Sequence, residues 1–344
     1  MNWLAFLGAF ALTGSTLFAP AVGEPSDQPE TPASSETQDP AQASEPATGQ
    51  TAGYDPLVDI IAMETQRSQR MTVPVTIMGQ GPFNFMVDTG AQATVLSSEL
   101  AEQLQLHDRE DALLVGMASR RAVQTTMVPE FALGDRTFTI RMAPIVDGSN
   151  IGRADGILGL DSLQGQRVLL DFDNREMRIA DSFAAGGSRS YDIIVRARER
   201  LGQLIIHRAR IDGIRVAVII DTGAQSSIGN PALQDRMRRQ RVAQENTVMT
   251  DVNGIDITGQ TRIAGAMDLG SMRLTNFPVT FADAPTFREL GLADRPAMIL
   301  GMSELRMFSR VAIDFRSSRI LFELPDELTR DQNWNFNERA SRLQ

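Results

Sequence analysis

A tetrapeptide that occurs twice, Asp88-Thr89-Gly90-Ala91 and Asp221-Thr222-Gly223-Ala224, constrains the fold of this chain more than any other feature. Each copy ends an apolar run, Phe85-Met86-Val87 in one case and Val218-Ile219-Ile220 in the other, and a glutamine (Gln92, Gln225) follows each. Such runs, bounded by a polar turn, read as buried β-strands. Downstream, Ile157-Leu158-Gly159 answers to Ile299-Leu300-Gly301, and Val168-Leu169-Leu170-Asp171-Phe172 answers to Val311-Ala312-Ile313-Asp314-Phe315. Matched phrases in matched order mean that the repeat covers whole lobes, so the chain is a tandem of two similar units.

Each unit opens with a hairpin that delivers the tetrapeptide. In the first, Val73 to Ile77 turns through Gly79-Gln80-Gly81-Pro82 into Phe83 to Val87; in the second, Leu204 to Ile211 turns through Asp212-Gly213 into Val216 to Ile220. Asp-Gly between apolar runs is a strong hairpin signal. A helix follows each copy, Glu99 to Leu106 in the first unit and one capped by Asn230 with Pro231 at its first position in the second. Glycine-bearing hairpins follow near Gly116 and Asn253-Gly254, then strands ending at Leu133-Gly134 and Leu269-Gly270. No α/β alternation is visible. The lobes are expected at 57–185 and 189–325, joined at Gly186-Gly187-Ser188, with a polar tail or short terminal helix over 326–344.

The apolar stretch Leu4 to Leu17, followed by Ala19-Pro20-Ala21, fits an export signal over residues 1–23, with a retained membrane anchor as the second reading. Residues 24–56 are rich in Pro, Ser, Thr and Glu and carry too little apolar surface to offset ordering, so a flexible acidic linker is expected there. Glu24, Asp27, Glu30, Glu36, Asp39, Glu45 and Asp55 lie in that linker with no base; without them 36 acids face 33 bases. The folded part is therefore nearly neutral, which gives no support to nucleic-acid binding. The chain has no cysteine, so disulfides, thiolate nucleophiles and cysteine-ligated zinc are excluded. His107 and His207 are the only histidines and no Gly-x-Ser-x-Gly elbow accompanies them, which leaves a serine triad without its parts.

The repeated motif carries the chemistry. An aspartate at the end of a buried strand, followed by a glycine that permits a tight turn, sets a carboxylate on a loop lined by backbone N–H groups. Two similar lobes packed about a pseudo-twofold axis would bring Asp88 and Asp221 face to face. Like charges at that range cannot both ionise cheaply, so the pair shares one proton, one member acting as base and the other as acid. That combination hydrolyses a peptide bond through an activated water without a covalent intermediate.

The two Asp-Thr-Gly-Ala loops with their apolar-apolar-Gly partners resemble the aspartic peptidases, most closely the retropepsin-like branch, over nearly all of residues 57–325. The resemblance implies an all-β, bilobal acid-protease fold of two retropepsin-like β-barrel lobes with short helices. It also implies an aspartic endopeptidase whose site is assembled within one chain, as a monomer with an internal pseudo-dimer. Asp88 and Asp221 would be the catalytic pair, Thr89 and Thr222 a cross-brace, and Gly90 and Gly223 the substrate floor. Ile157-Leu158-Gly159 and Ile299-Leu300-Gly301 would support the loops from beneath. Flaps at Val115-Gly116-Met117 and Val252-Asn253-Gly254 would close by backbone contacts over an extended polypeptide. Two departures from the pepsins stand out: Ala91 and Ala224 replace a hydroxyl residue, and the only tyrosines, Tyr54 and Tyr191, lie outside both flaps.

No cofactor or metal is called for. Asp171-Phe172-Asp173-Asn174 lacks the glycine and glutamate of a calcium loop and reads as a hairpin turn. The basic run Arg236 to Arg241 reads as a solvated helix face. The rival function is a silent module of the same fold that binds an extended peptide or a cell-envelope partner. Export would place either in a periplasmic or extracellular setting, with a tether if the N-terminal stretch is retained.

Overall fold

The computed structural model describes residues 4–6, 10–12, 58–62, 64–65, 71–163, 165–180, 191–237, 245–325 and 333–335. The acidic stretch 24–56, the Gly186-Gly187-Ser188 joint, the basic run beyond Met237 and most of residues 1–23, where an export signal was expected, lie outside them. Among the described residues the architecture is mostly β, in three sheets of nine, ten and six strands. The first two belong to one lobe each, and the third joins the lobes.

The six-stranded sheet explains why the downstream phrases are repeated. Its central pair is Arg167–Asp171 against Arg310–Asp314, antiparallel, with Leu169 opposite Ala312. Equivalent strands of the two lobes thus pair with each other, which is the pairing a twofold axis through that sheet requires. Glu176–Ala180 and Val58–Ala62 extend it on one side, and Arg319–Glu323 and Ile193–Arg196 on the other.

Within each lobe the motif strand is held by the apolar-apolar-Gly strand. Gly156–Leu158 runs parallel to Gln80–Val87 and antiparallel to Val95–Ser97. Ala297–Leu300 does the same with Ile214–Ile220 and Ile228–Gly229. A strand with a neighbour on each edge and both faces covered must be apolar throughout, and Val216 to Ile220 and Ala297 to Leu300 are all buried. Phe85 and Phe131, both fully buried, meet edge-on at 5.2 Å in the first lobe. Each such ring contributes on the order of 2–3 kcal/mol by leaving water.

The second hairpin turns at Asp212-Gly213, both at positive φ, as its sequence predicts. The first differs: Met78 and Gly79 form the two-residue turn, both at positive φ, and Gly81-Pro82 lies inside the returning strand with a cis bond. Gly81, beside Pro82, lies within the returning strand and not in the turn. The first helix is shorter than expected, Ser98–Gln103, with the Ser97 Oγ accepting from the Leu100 N–H; the second, Pro231–Arg236, is capped by Asn230. In the tail, Asn333–Asn335 is a strand parallel to Arg273–Thr275 and not part of a helix. Among the described residues, no helix is long and apolar enough to cross a membrane.

Candidate active site

The two aspartates emerge where their strands leave the sheets. The Asp88 N–H donates to the Leu158 carbonyl and the Asp221 N–H to the Leu300 carbonyl, each at 3.1 Å. The supporting strands thereby fix the first residue of each loop. Beyond it the chain turns back on its own carboxylate. Gly90 N–H (2.8 Å) and Ala91 N–H (2.9 Å) donate to Asp88 Oδ1, and Gly223 N–H (2.9 Å) and Ala224 N–H (3.1 Å) donate to Asp221 Oδ1. One oxygen of each carboxylate is thus committed to its loop.

The threonines lock the loops together. Thr89 Oγ1 donates to the Ile220 carbonyl (3.0 Å) and accepts from the Thr222 N–H (3.2 Å). Thr222 Oγ1 donates to the Val87 carbonyl (2.8 Å) and accepts from the Thr89 N–H (3.0 Å). Both hydroxyls are buried, so this reciprocal brace satisfies groups with no access to water.

Glycine is required where the loops meet. A Cβ on Gly90 would lie 2.4 Å from Asp221 Oδ2, and one on Gly223 would lie 2.2 Å from Asp88 Oδ2. Each glycine therefore makes room for the opposite carboxylate. The aspartates are 0 % and 2 % exposed, each with its carboxylate against the other loop's glycine. Burial above all, and then the charge of Asp88, push the Asp221 carboxyl well above the usual carboxylate range, against the opposing effect of the Ala224 and Gly223 N–H groups. The pair is arranged to hold one proton between two acids.

Beneath the loops lies a layer that sequence reasoning missed. Thr94, six residues after Asp88, accepts from the Gly159 N–H (3.1 Å) and donates to Asp161 Oδ1 (2.6 Å). Ser227, six residues after Asp221, accepts from the Gly301 N–H (3.1 Å) and donates to Glu304 Oε2. A hydroxyl at the same offset in both repeats was the available signal. The carboxylates escape it because Asp161 follows its glycine by two residues and Glu304 by three. Gln203, also buried, donates from Nε2 to the Gly90 carbonyl.

The flap residues fall at hairpin tips, one between Glu110–Val115 and Arg120–Leu133, the other between Glu245–Asp251 and Asp256–Leu269. The tips cross. Met117 of the first flap is fully buried in a second-lobe cluster with Ala224, Ile228, Met249 and Ile299. Val252 of the second flap is fully buried in a first-lobe cluster with Ala91, Val95, Leu114 and Ile157. Backbone contacts were expected at the flaps; the tips also meet the opposite lobe through apolar side chains. Ala91 and Ala224, in place of hydroxyl residues, are parts of these apolar clusters. Tyr191 lies away from the site, its ring beneath the Arg167 guanidinium. Asp171 accepts from the Asn174 N–H and Nδ2, which accounts for that carboxylate as a turn cap.

The sequence profile of a family described as "Aspartyl protease" matches residues 73–162 and 207–303, one lobe each. No curated protein matches the chain. Among solved structures, the "Crystal structure of Basic 7S globulin from soybean" is similar at 11% identity and a TM-score of 0.45, over 77% of this chain and 94% of that one.

Proposed function

The chain belongs to the aspartyl protease family, and from that premise we propose that it is an endopeptidase whose water is activated between Asp88 and Asp221. The observation that carries the reading is the reciprocal fit of each carboxylate against the other loop's glycine. A binding module has no need of two acids forced to share a proton, because their mutual repulsion is a cost with no return except in acid–base chemistry.

The chemistry follows from the two protonation states. With one proton on the pair, the ionised member takes a proton from a water while the water oxygen attacks the scissile carbonyl carbon. The protonated member gives its proton to the carbonyl oxygen. The tetrahedral diol then collapses: the C–N bond breaks, the nitrogen receives the proton held by the pair, one diol hydroxyl gives its proton to the other carboxylate as the C=O re-forms, and a carboxyl product and an amine product leave. One water is consumed and the dyad returns to its starting state.

Strand pairing at the flaps supports an extended polypeptide as the substrate. Leu4–Phe6 runs parallel to Leu113–Val115 of the first flap, and Phe10–Leu12 runs antiparallel to Met249–Asp251 of the second. A strand has a direction and two flaps related by a pseudo-twofold do not, so a peptide laid across both must meet them in opposite senses. The flap edges accept strands in that pattern, which is recognition by strand addition. Because the brace joins two loops of one chain, the working unit in this reading is a monomer. The apolar run Leu4 to Leu17 supports an exported enzyme acting on periplasmic or extracellular polypeptides.

The test is digestion of a mixed peptide library by the full chain from acid to neutral pH, with new termini mapped by mass spectrometry. Cuts that Asp88→Asn abolishes are expected. Folded protein that retains peptides without cutting them at any pH would establish the silent binding module instead.

A further inference from the structure

The flaps are fastened to each other by a small polar cluster centred on one side chain that belongs to neither aspartate loop. Asp251, at the end of the second flap's first strand, is fully buried and draws four donors onto its two carboxylate oxygens. Two come from its own hairpin: the Asn253 N–H (2.9 Å) and the Ile255 N–H (3.0 Å) donate to Oδ1. The other two come from the opposite flap: the Ala118 N–H (3.1 Å) and Ser119 Oγ (2.8 Å) donate to Oδ2. Asn253 adds Nδ2 to Ser119 Oγ at 2.9 Å, and Arg121 Nη1 donates to the Asn253 carbonyl at 3.2 Å.

The fastening is asymmetric, unlike the aspartate brace. The residue before the buried tip is Asp251 in the second flap, ahead of Val252, and Gly116 in the first, ahead of Met117. The glycine is what admits the acid, since a Cβ on Gly116 would lie 2.3 Å from Asp251 Oδ2. The first flap is also moored to the second lobe, with Thr286 Oγ1 donating to Met117 Sδ at 3.1 Å and Arg120 paired to Glu289.

We propose that Asp251 is a positioning residue that locks the two flaps shut, and that its lock sets how tightly the closed cleft holds a polypeptide substrate. This deepens the endopeptidase reading and rests on it. A carboxylate accepts only, so it suits a cluster of four donors. Bonds to such a group are about twice as strong as neutral ones, and the two that cross between flaps must break together when the cleft opens.

Hydrogen exchange on the full chain, with no substrate present, reads the lock directly. Asp251→Asn turns an NH2 group into a cluster of donors, so segments holding Ala118, Asn253 and Ile255 should exchange about tenfold faster or more. The strand Arg310–Asp314 should keep its wild-type rate. Gly116→Ala displaces the same carboxylate from the other flap and should produce the same pattern, which keeps the test open if one variant folds poorly. In peptide kinetics, Asp251→Asn should raise KM about tenfold with kcat within about threefold, because the lost grip is common to bound substrate and transition state. A merely unstable variant would instead lose kcat through lost active enzyme. Wild-type exchange at the flaps in both variants, or an unchanged KM, would overturn the proposal. If flap exchange accelerates as expected but the wild-type chain cuts no peptide, the lock stands and the endopeptidase reading falls.

Discussion

Replacing Glu304 by Gln should flatten part of the protein's stability–pH curve, and the size of the effect follows from where the carboxyl sits. Glu304 is fully buried in the short helix Met302–Leu305, accepts one hydrogen bond from Ser227 Oγ, and has no partner at Oε1. Burial pushes it from 4.5 to about 7, only partly opposed by the Ser227 hydroxyl. The fold therefore favours the protonated form, and between those two values the folded state binds more protons than the unfolded state. Stability from this group is fully present below about 4.5 and is lost as pH rises through about 7. The difference corresponds to about 3 kcal/mol at about 1.4 kcal/mol per unit. Glutamine cannot titrate, but it places an NH2 where no acceptor waits, a cost of about 1–3 kcal/mol at every pH. The variant should thus be less stable than wild type at pH 4 and should recover about 3 kcal/mol relative to it by pH 8. In thermal unfolding at fixed scan rate, the melting-temperature difference between the two should change by several degrees across that range, roughly 2–4 °C per kcal/mol for chains somewhat smaller than this one. Asp221 titrates with the same sign in both proteins and cancels in the comparison. Curves that stay parallel from pH 4 to 8 would show that the Glu304 carboxyl does not titrate in this window, and the burial argument would fail.

Two further predictions concern the loops. Thr222→Val keeps the shape but strands the Val87 carbonyl and the Thr89 N–H in a buried setting, so urea unfolding should show a loss of about 2–5 kcal/mol; a loss under about 0.5 kcal/mol would mean that the brace is not holding the lobes. Gly90→Ala, whose Cβ would meet Asp221 Oδ2 at 2.4 Å, should lower peptide cleavage by about a hundredfold or more; near-normal kcat would show that the carboxylates are not packed against the opposing glycines.

The parts legible in the sequence are those whose chemistry sits in short contiguous strings. Asp-Thr-Gly-Ala is such a string because strand end, carboxylate, brace and close-approach glycine are four successive residues. Its duplication revealed the pseudo-twofold, and Val168 to Phe172 and Val311 to Phe315 marked the strands that pair across it. Asp212-Gly213 was legible because its composition matches its turn, whereas the first hairpin was misplaced: Gly81-Pro82 carries stronger turn chemistry than the Met78-Gly79 that actually turns. What stayed hidden is contact between distant residues with no shared offset. Asp251 meets Ser119 across 132 positions, and Ser227 meets Glu304 across 77. Met117 and Val252 looked like ordinary apolar residues at hairpin tips, and only the closed flaps show that each is buried in the other lobe.

The central claim is that one chain carries one site made from both lobes. Asp88→Asn and Asp221→Asn, each prepared as folded full-length protein, should separately cut no peptide, and an equimolar mixture of the two should also cut none. A variant that keeps wild-type turnover would contradict the shared dyad, and activity restored on mixing would contradict its assembly within a single chain.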